Sequence, residues 1–507
     1  MTPTSSSAAN QPRTPAADST TESGDSASDD KPAAAPPPTP AGGPSRRFDR
    51  SIVEGDLKSA VWKLAWPTVF ANVIGGVQGM IDHLMVGRLV GYQANAAIGV
   101  SFQIWLVVIV FISSLFMGMS VLVSRYVGAG DEATADRVVY QAFITAVGIS
   151  LLIMAPLGYF ASPWLLDQVH AAPQVQAEAL PFLRTLFVFS SGMLVFFMLS
   201  GALRAAGDAR TPMVIGIVVT VLNIVLNVVL IRGLGPIPAF GTVGSAMGTS
   251  IASGLLAIYA MWKLWHGGWV VRFPRGRALM PDWDIIRSLF RFGLPTGIQG
   301  IAMNVGGVLM LSFIGSLRQS AAAQAAFAVC YGQLFSLVTW TANALMGAAA
   351  AAAGQNLGAG HPDRAEHAVH VAARYAGIGA VLVGLAFFFL PEQILGTFGM
   401  NEPTVVAIGV QLLRVLAISG LFIAVALTYT GGLQGTGDTK SPLYISIASQ
   451  VIVPLGICFV IQRTGTLDPI DVWIAILAGH VTRCALSMLR FSQGQWRSIE
   501  VAVSRSR

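Results

Sequence analysis

Long apolar runs fill the chain from residue 60 to residue 491. A membrane-spanning helix needs about 20 apolar residues, because the bilayer core offers no water to the backbone and a helix satisfies its own polar groups. The sequence is 54% hydrophobic and 11% charged over 507 residues, which is too apolar for one soluble core of that length. We predict an all-α polytopic membrane protein with 12 transmembrane helices. The predicted spans are residues 60–85, 95–123, 138–161, 179–203, 212–231, 241–265, 285–314, 324–354, 367–390, 405–433, 442–462 and 470–491.

Basic residues in the connections between the runs indicate the orientation of the chain. With the N-terminus in the cytoplasm, the connection 266–284 lies on the cytoplasmic side and carries Arg272, Arg275 and Arg277. The connections on the opposite side carry few basic residues. Because Lys and Arg accumulate in cytoplasmic connections, we expect both termini in the cytoplasm.

The first 50 residues differ in composition from the rest of the chain. They are rich in Ser, Thr, Pro, Ala and Asp and contain no apolar periodic run. Such a segment cannot bury enough apolar surface to offset the entropy lost on ordering. We predict a disordered cytoplasmic tail over residues 1–50 and a short cytoplasmic C-terminal tail over residues 496–507.

Charge, cysteines and motifs exclude several other classes of protein. The net charge of +6 arises from basic residues that lie mainly in the connections, so we expect no nucleic-acid partner. Cys330, Cys458 and Cys484 lie in apolar runs without paired spacing, so we expect no disulfide and no metal site. No nucleophile elbow or phosphate-binding loop occurs in a suitable setting, so we expect neither an enzyme nor a cofactor.

A repeat divides the spans into two sets of six. The segment Leu203–Pro212 recurs 230 residues later as Leu433–Pro442, and Gly128-Ala-Gly130 recurs as Gly358-Ala-Gly360 at the same offset. A constant offset across several landmarks indicates duplication. Because each half has an even number of spans, both halves have the same orientation, and the substrate site is expected between them. The predicted lobes are residues 51–275 and 276–495.

Asp82 is the one carboxylate well inside an apolar run. An ionisable side chain at membrane depth is costly, so chains keep one chiefly for a function. Gln78 lies four residues away on the same predicted helix face, and Asn223 and Asn227 lie four apart on another helix. A dry carboxylate beside amides suits a proton, and oxygen ligands of this kind also suit Na⁺. The single carboxylate favours H⁺, and polar packing between helices is the alternative for the two Asn residues.

Polar and aromatic side chains near the expected interface between the lobes are candidates for binding substrate. An amphipathic organic cation would contact aromatic faces and apolar walls. The same residue types also occur in ordinary helix packing and against lipid. The candidate cavity residues are Gln78, Phe102, Gln103, Trp105, Gln299, Asn304, Gln333 and Trp340.

The six-plus-six spans and the repeated loops resemble the multidrug and toxic compound extrusion (MATE) family, prokaryotic type. The resemblance covers residues 55 to 490 and rests on two Gly-Asp-x-(Arg/Lys)-(Thr/Ser)-Pro loops and two Gly-Ala-Gly turns, in matching order. It implies cation-coupled antiport, with drugs expelled through a V-shaped pair of lobes.

The resemblance also implies roles for individual residues. Asp82 lies in a stretch similar to the one whose Asp binds the coupling cation, and Thr249 lies in a stretch similar to the one carrying a hydroxyl ligand. Asn227 stands where one branch of the family has a second acid. Met303 and Ile423 take the places of C-terminal acids of another branch, which favours coupling in the N-terminal lobe. The expected cation-coupling residues are Asp82, Asn223, Asn227 and Thr249.

We therefore expect a secondary active exporter that exchanges cationic or amphipathic organic compounds for H⁺ or Na⁺. The alternative is a flippase of the same superfamily for lipid-linked precursors, which would need a cavity rich in Arg. A membrane enzyme or receptor would need catalytic residues at membrane depth or a ligand domain, and neither is visible. The expected partners are small drugs and bilayer lipids, and the expected state is a monomer in the bacterial inner (plasma) membrane.

Overall fold

Helices account for almost all regular structure in the computed structural model, which describes residues 48–169, 172–274 and 280–501. An isolated antiparallel bridge between Leu234 and Ile237 is the exception among these residues. The all-α prediction is therefore confirmed. Most of the predicted N-terminal tail, residue 275 at the predicted lobe boundary and the last residues of the C-terminal tail lie outside the described residues.

Helices occupy all the predicted spans. They are α1 Leu57–Leu89, α2 Tyr92–Gly128, α3 Glu132–Gln168, α4 Pro173–Val188 with Ser190–Ala205, α5 Arg210–Arg232, α6 Gly241–His266, α7 Trp283–Gly315, α8 Ser320–Gly358, α9 Pro362–Phe389, α10 Pro403–Thr436, α11 Lys440–Thr464 and α12 Pro469–Ser492. Within the described chain, short helical turns also occur at Ser51–Glu54, Pro391–Thr397 and Gln495–Ser498.

Most of these helices are long and apolar enough to cross a membrane. Of the described helices, 10 meet that requirement, and α4 makes 11 if its two halves, bent by 53°, count as one span. The remaining helix, α2, is 37 residues long, and its side chains at residues 106–113 are not described. These helices agree with the predicted twelve-span fold.

Local breaks interrupt several of the helices, and two of them lie beside a proline. The halves of α4 meet at Phe189, whose φ of −100° and ψ of 22° are not helical. π-Helical turns at Ser150–Met154 in α3 and Ala448–Ile452 in α11 each end two residues before a proline. Proline removes a backbone N–H from the helical ladder, and a π-turn re-routes the neighbouring hydrogen bonds. A third π-turn, Ala328–Leu334, interrupts α8 without a proline.

Buried apolar side chains form two cores that correspond to the two halves of the repeat. One core takes its side chains mainly from α2, α3, α4 and α6, and the other from α8, α9, α10 and α12. The first turns of α1 pack in the second core, and the first turns of α7 pack in the first core. The first helix of each half therefore begins in the core of the opposite half. Because α1 and α7 do this in the same way, the arrangement follows the repeat.

The two halves touch closely at one end of the bundle, formed by residues 124–131, 204–211, 355–366 and 434–441 and here termed the contact end. A Cβ atom at Gly128 would overlap the carbonyl oxygen of Gln355, and a Cβ at Gly358 would overlap that of Arg125. The two contacts are repeat counterparts, because Gly358 lies 230 residues after Gly128 and Gln355 lies 230 residues after Arg125. The contact end consists of connections whose predicted location is the cytoplasm.

Long polar side chains strengthen the contact end across the two halves. Gln355 Nε2 donates a 2.7 Å hydrogen bond to the carbonyl oxygen of Ala205 at the end of α4. Its repeat counterpart Arg125 donates to the carbonyl oxygens of Thr436, at 3.3 Å, and Ile499, at 2.8 Å. Each half thus caps a helix end of the other with the side chain at the same repeat position.

Residues at the margins of the predicted tails pack against the bundle. Phe48 is buried, and Asp49 forms an ion pair with Lys63 of α1. At the other terminus Trp496 is buried, stacks on Phe491 and donates a 2.8 Å hydrogen bond to its carbonyl oxygen. The described margins of both tails are therefore part of the folded unit.

Candidate functional site

A chain of polar side chains begins at Asp82 in the fourth quarter of α1. Asn227 of α5 donates from Nδ2 to Asp82 Oδ1 at 2.8 Å, and the same Nδ2 lies 3.3 Å from Asn223 Oδ1. Asn223 in turn donates from Nδ2 to Thr249 Oγ1 of α6 at 3.0 Å. The four residues predicted for cation coupling are thus brought together by three helices.

The same chain continues from Asn223 back to α1. Gln78 Nε2 donates to Asn223 Oδ1 at 3.0 Å, and Thr220 Oγ1 donates to Gln78 Oε1 at 2.7 Å. Residues three or four apart share a helix face, which explains why Gln78 and Asp82 on α1 both meet α5. Gln78, predicted as a cavity residue, therefore contacts Asn223, one of the residues predicted for cation coupling.

Burial makes this polar cluster energetically demanding. Asn223 is 1% exposed and Asn227 is fully buried, whereas Asp82 is partly buried. Asn227 Oδ1 is enclosed and has no hydrogen-bond partner. An unpaired buried acceptor is a position at which a proton donor or a cation gains a favourable contact.

Gly248 of α6 leaves the room that Asn227 occupies. A Cβ atom at Gly248 would overlap Asn227 Oδ1, whereas a Cβ at Gly254 on the same helix would meet nothing within 4 Å. We expect Gly248→Ala to displace the Asn227 amide from Asp82 and to lower the free energy of unfolding by about 1–3 kcal/mol, with Gly254→Ala unaffected. Thermal unfolding of the two purified variants measures this difference, and equal melting temperatures would contradict it.

A cavity of about 720 Å³ lies between the two halves, beside the contact end. Five methionines give it an adaptable apolar wall. They are Met117, Met193, Met198, Met303 and Met346. Its hydrogen-bonding side chains include Asn72, Asn304 and Asn343, and its one ionisable lining side chain among the described residues is Arg204.

A second cavity of about 650 Å³ adjoins the first and leads to the polar chain. The two share Asn72, Arg204 and Asn343 as lining residues. The second cavity is also lined by Gln78 and Thr220, which belong to the hydrogen-bonded chain from Asp82. Gln78 therefore connects the second cavity to the Asp82 cluster.

Five of the eight predicted cavity residues line one of the two cavities. Trp105 and Asn304 line the first cavity, and Gln78, Phe102 and Trp340 line the second. The side chains of Gln103 and Gln333 are exposed and belong to neither lining.

Gln299 lies inside the C-terminal half rather than in the cavities, which corrects its predicted placement. It is buried, donates from Nε2 to Ser446 Oγ at 2.7 Å and accepts from Gln434 Nε2 at 3.2 Å. These contacts join α7 to α10 and α11, because Gln299 lies on the face of α7 that packs on those helices.

Two lining residues were missed from the sequence. Arg204 donates from Nε to the carbonyl oxygen of Ser200 at 3.0 Å and lies over the Phe116 ring, 5.8 Å from its centroid. Asn72 donates from Nδ2 to the carbonyl oxygen of Trp340 at 3.1 Å, across the two halves. Arg204 belongs to the repeated loop segment, and Asn72 shares the Asp82 face of α1, so both had a weak sequence signal.

The sequence of both halves matches the model of a known family. The family model MatE matches residues 67–229 and 295–460, one segment in each half of the repeat. The chain belongs to the MatE family. Among the described residues, no group of three or more His, Cys, Asp or Glu side chains could hold a metal ion.

Similar proteins of this family are named as multidrug resistance proteins. The probable multidrug resistance protein NorM of Thermotoga maritima is 25% identical over 449 residues, which is 87% of this chain and 93% of the relative. The multidrug resistance protein MdtK of Pectobacterium atrosepticum is 26% identical over 445 residues, 85% and 95% of the two chains.

Solved structures share the fold at lower identity. An outward-facing MATE-family multidrug resistance transporter aligns with a TM-score of 0.81 at 21% identity, covering 88% of this chain and 98% of that one. A transporter from Pyrococcus furiosus, described as having a binding pocket of reverse polarity, aligns with a TM-score of 0.79 at 21% identity, covering 89% and 98%. The MATE fold of this chain is thereby established.

Proposed function

We propose that this MatE-family protein is a secondary active multidrug exporter that exchanges amphipathic organic compounds for protons, with coupling at Asp82. The observation that carries the proposal is the unbroken set of contacts from Asp82 through Asn227 and Asn223 to Gln78, which lines the cavity between the halves. The names of the relatives support drug export as the activity.

Proton binding at Asp82 changes the hydrogen bonding along this chain. The ionised carboxylate accepts from Asn227, whereas the protonated acid carries a donor of its own. The free Asn227 Oδ1 is a ready acceptor for that donor. A turn of the Asn227 amide would alter its contact with Asn223 and, through it, with Gln78 in the cavity lining. Drug and proton are coupled if each binds the two access states with different affinity.

The present hydrogen bonds favour H⁺ over Na⁺. An N–H group of Asn227 lies against Asp82 Oδ1, where a bound metal cation would need an oxygen ligand. Asp82 is also the single carboxylate of the cluster, so Na⁺ would have to be held largely by neutral amide and hydroxyl oxygens.

The contact end supports an assignment of the conformation. In the predicted orientation this end faces the cytoplasm, and Gly128 and Gly358 bring the backbones of the two halves together there. We assign the structure to an outward-facing state of a protein with both termini in the cytoplasm, acting as a monomer in the bacterial inner membrane.

The cavity linings bear on the class of drug. Methionine and aromatic walls suit flat, apolar molecules of varied shape. Neither described lining contains a carboxylate, so cations are held through aromatic faces such as Trp340 rather than by an acid. The alternative function, a flippase for lipid-linked precursors, would need a cavity rich in Arg. Arg204 is the only arginine in the described linings of these two cavities, which favours drug export.

Purified protein in proteoliposomes tests the function directly. We expect a fluorescent amphipathic cation to move against its gradient when an opposing pH gradient is imposed, and drug addition to move protons the other way. A Na⁺ gradient without a pH gradient should drive little transport. Transport that follows the Na⁺ gradient alone would reverse the choice of ion, and no transport under either gradient would contradict antiport.

A further inference from the structure

One face of α12 carries polar side chains into the interior of the C-terminal half. Trp473, His480, Arg483 and Ser487 follow one another at intervals of seven, three and four residues, which places them on a single helix face. All four are buried, and Arg483, the most exposed of them, is only 4% exposed. Neither the coupling chain nor the central cavities include any of these residues.

A ladder of stacked rings holds this face against α8. Trp473 stacks on Phe327 with centroids 6.0 Å apart, and Phe327 stacks on Tyr331 at 4.8 Å. Tyr331 stacks on Phe335 at 5.4 Å, and Phe335 stacks on His480 at 5.7 Å. The ladder spans the π-turn of α8, and such turns often occur at functional sites. It fixes the plane of the His480 ring beside Arg483.

Polar groups on this face lack partners. Trp473 Nε1, His480 Nδ1, Arg483 Nε and Ser487 Oγ are enclosed without a hydrogen-bond partner, and so is Ser419 Oγ on α10. No described residue forms a hydrogen bond or ion pair with the Arg483 guanidinium. A buried guanidinium keeps its charge, and leaving it without a counter-charge is among the costliest arrangements in a protein interior.

Carboxylates that could neutralise Arg483 are engaged elsewhere. Asp468 and Asp471 form a capping box at the first turn of α12. Asp471 lies twelve residues before Arg483, about 18 Å away at 1.5 Å per residue. Asp438, at the contact end, pairs with Arg490 at 3.0 Å. Among the described residues, no carboxylate therefore pairs with Arg483.

We propose that Arg483 and His480 bind a small monovalent inorganic anion, chloride in the cell. One fixed positive charge matches one negative charge, and buried N–H and O–H groups without partners suit a compact ion better than a bulky one. By its order in the repeat, α12 takes the place that α6 has in the first half. In this proposal the N-terminal half presents the carboxylate of Asp82 to a cation, and the C-terminal half presents the guanidinium of Arg483 to an anion.

Thermal unfolding of the purified full-length protein tests this site. Its Tm is measured as chloride replaces gluconate at constant ionic strength and pH. Wild type is expected to show a saturable rise in Tm with chloride or bromide, because an ion that binds only the folded state stabilises it. Arg483→Gln is expected to lose the whole saturable component. Arg414→Gln, which removes an exposed arginine of α10, is expected to keep it.

The Tm does not depend on transport, so this test is independent of whether Asp82 couples drug to protons. If Arg483→Gln does not fold, His480→Gln and Ser487→Ala are expected to raise the chloride concentration that gives half of the Tm rise. The proposal is overturned if wild type shows no saturable rise. It is also overturned if Arg483→Gln retains the rise, or if both milder variants leave the half-saturation unchanged.

Discussion

Asp82→Asn is expected to abolish coupling between drug and protons while leaving the fold intact. Asn has nearly the same size, and its oxygen can still accept the 2.8 Å hydrogen bond from Asn227. It cannot take up or release a proton at physiological pH. We expect drug efflux driven by a pH gradient to fall about 5- to 150-fold, the range of a typical coupling free energy. Proteoliposomes with an imposed pH gradient measure the loss.

A matched acid elsewhere separates this effect from a general change of charge. Glu392 is exposed in the short helix Pro391–Thr397. Glu392→Gln should therefore transport like wild type. Drug affinity provides a second readout, since its pH dependence should vanish in Asp82→Asn and persist in Glu392→Gln. Equal gradient-driven efflux by wild type and Asp82→Asn would remove Asp82 from the mechanism.

The spans and the coupling cluster could be predicted because both leave periodic or repeated signals in the sequence. Apolar length defines a membrane helix. Four-residue spacing joined Asn223 to Asn227 and Gln78 to Asp82, and the structure places all four in one hydrogen-bonded chain. Residue spacing does not show which way each side-chain amide points. In the structure Asn227 points its N–H group, rather than its oxygen, at the carboxylate of Asp82.

The neighbour that each polar side chain contacts was beyond prediction for a different reason. Gln299 and Asn304 are both polar residues in the middle of α7, yet one joins α10 and α11 and the other lines the cavity. Periodicity shows that they occupy different faces but not which neighbour each face meets. Similarly, Arg204 lies in a loop segment recognised as a repeat, and only the packing of α4 against the opposite half makes it a cavity residue.

Gly358→Val is expected to open the contact end. A Cβ at this position would overlap the carbonyl oxygen of Arg125, and backbone cannot move aside as a flexible side chain can. Overpacking of this kind costs about 1–3 kcal/mol. Because that cost falls on the state in which the contact end is closed, the equilibrium between access states should shift about 5- to 150-fold. Drug efflux should fall, because alternating access needs both states.

Labelling of Ala351→Cys, a position in the first cavity lining, measures the shift. The native cysteines are buried and should give little background. In inside-out vesicles a membrane-impermeant maleimide should label Ala351→Cys faster when Gly358→Val is present. Gly148→Val provides the matched control, because a Cβ at Gly148 on α3 would meet nothing within 4 Å. If Gly358→Val left both labelling and efflux unchanged, the backbone contact between the halves would not be the seal, and the long side chains of Arg125 and Gln355 would have to close this end alone.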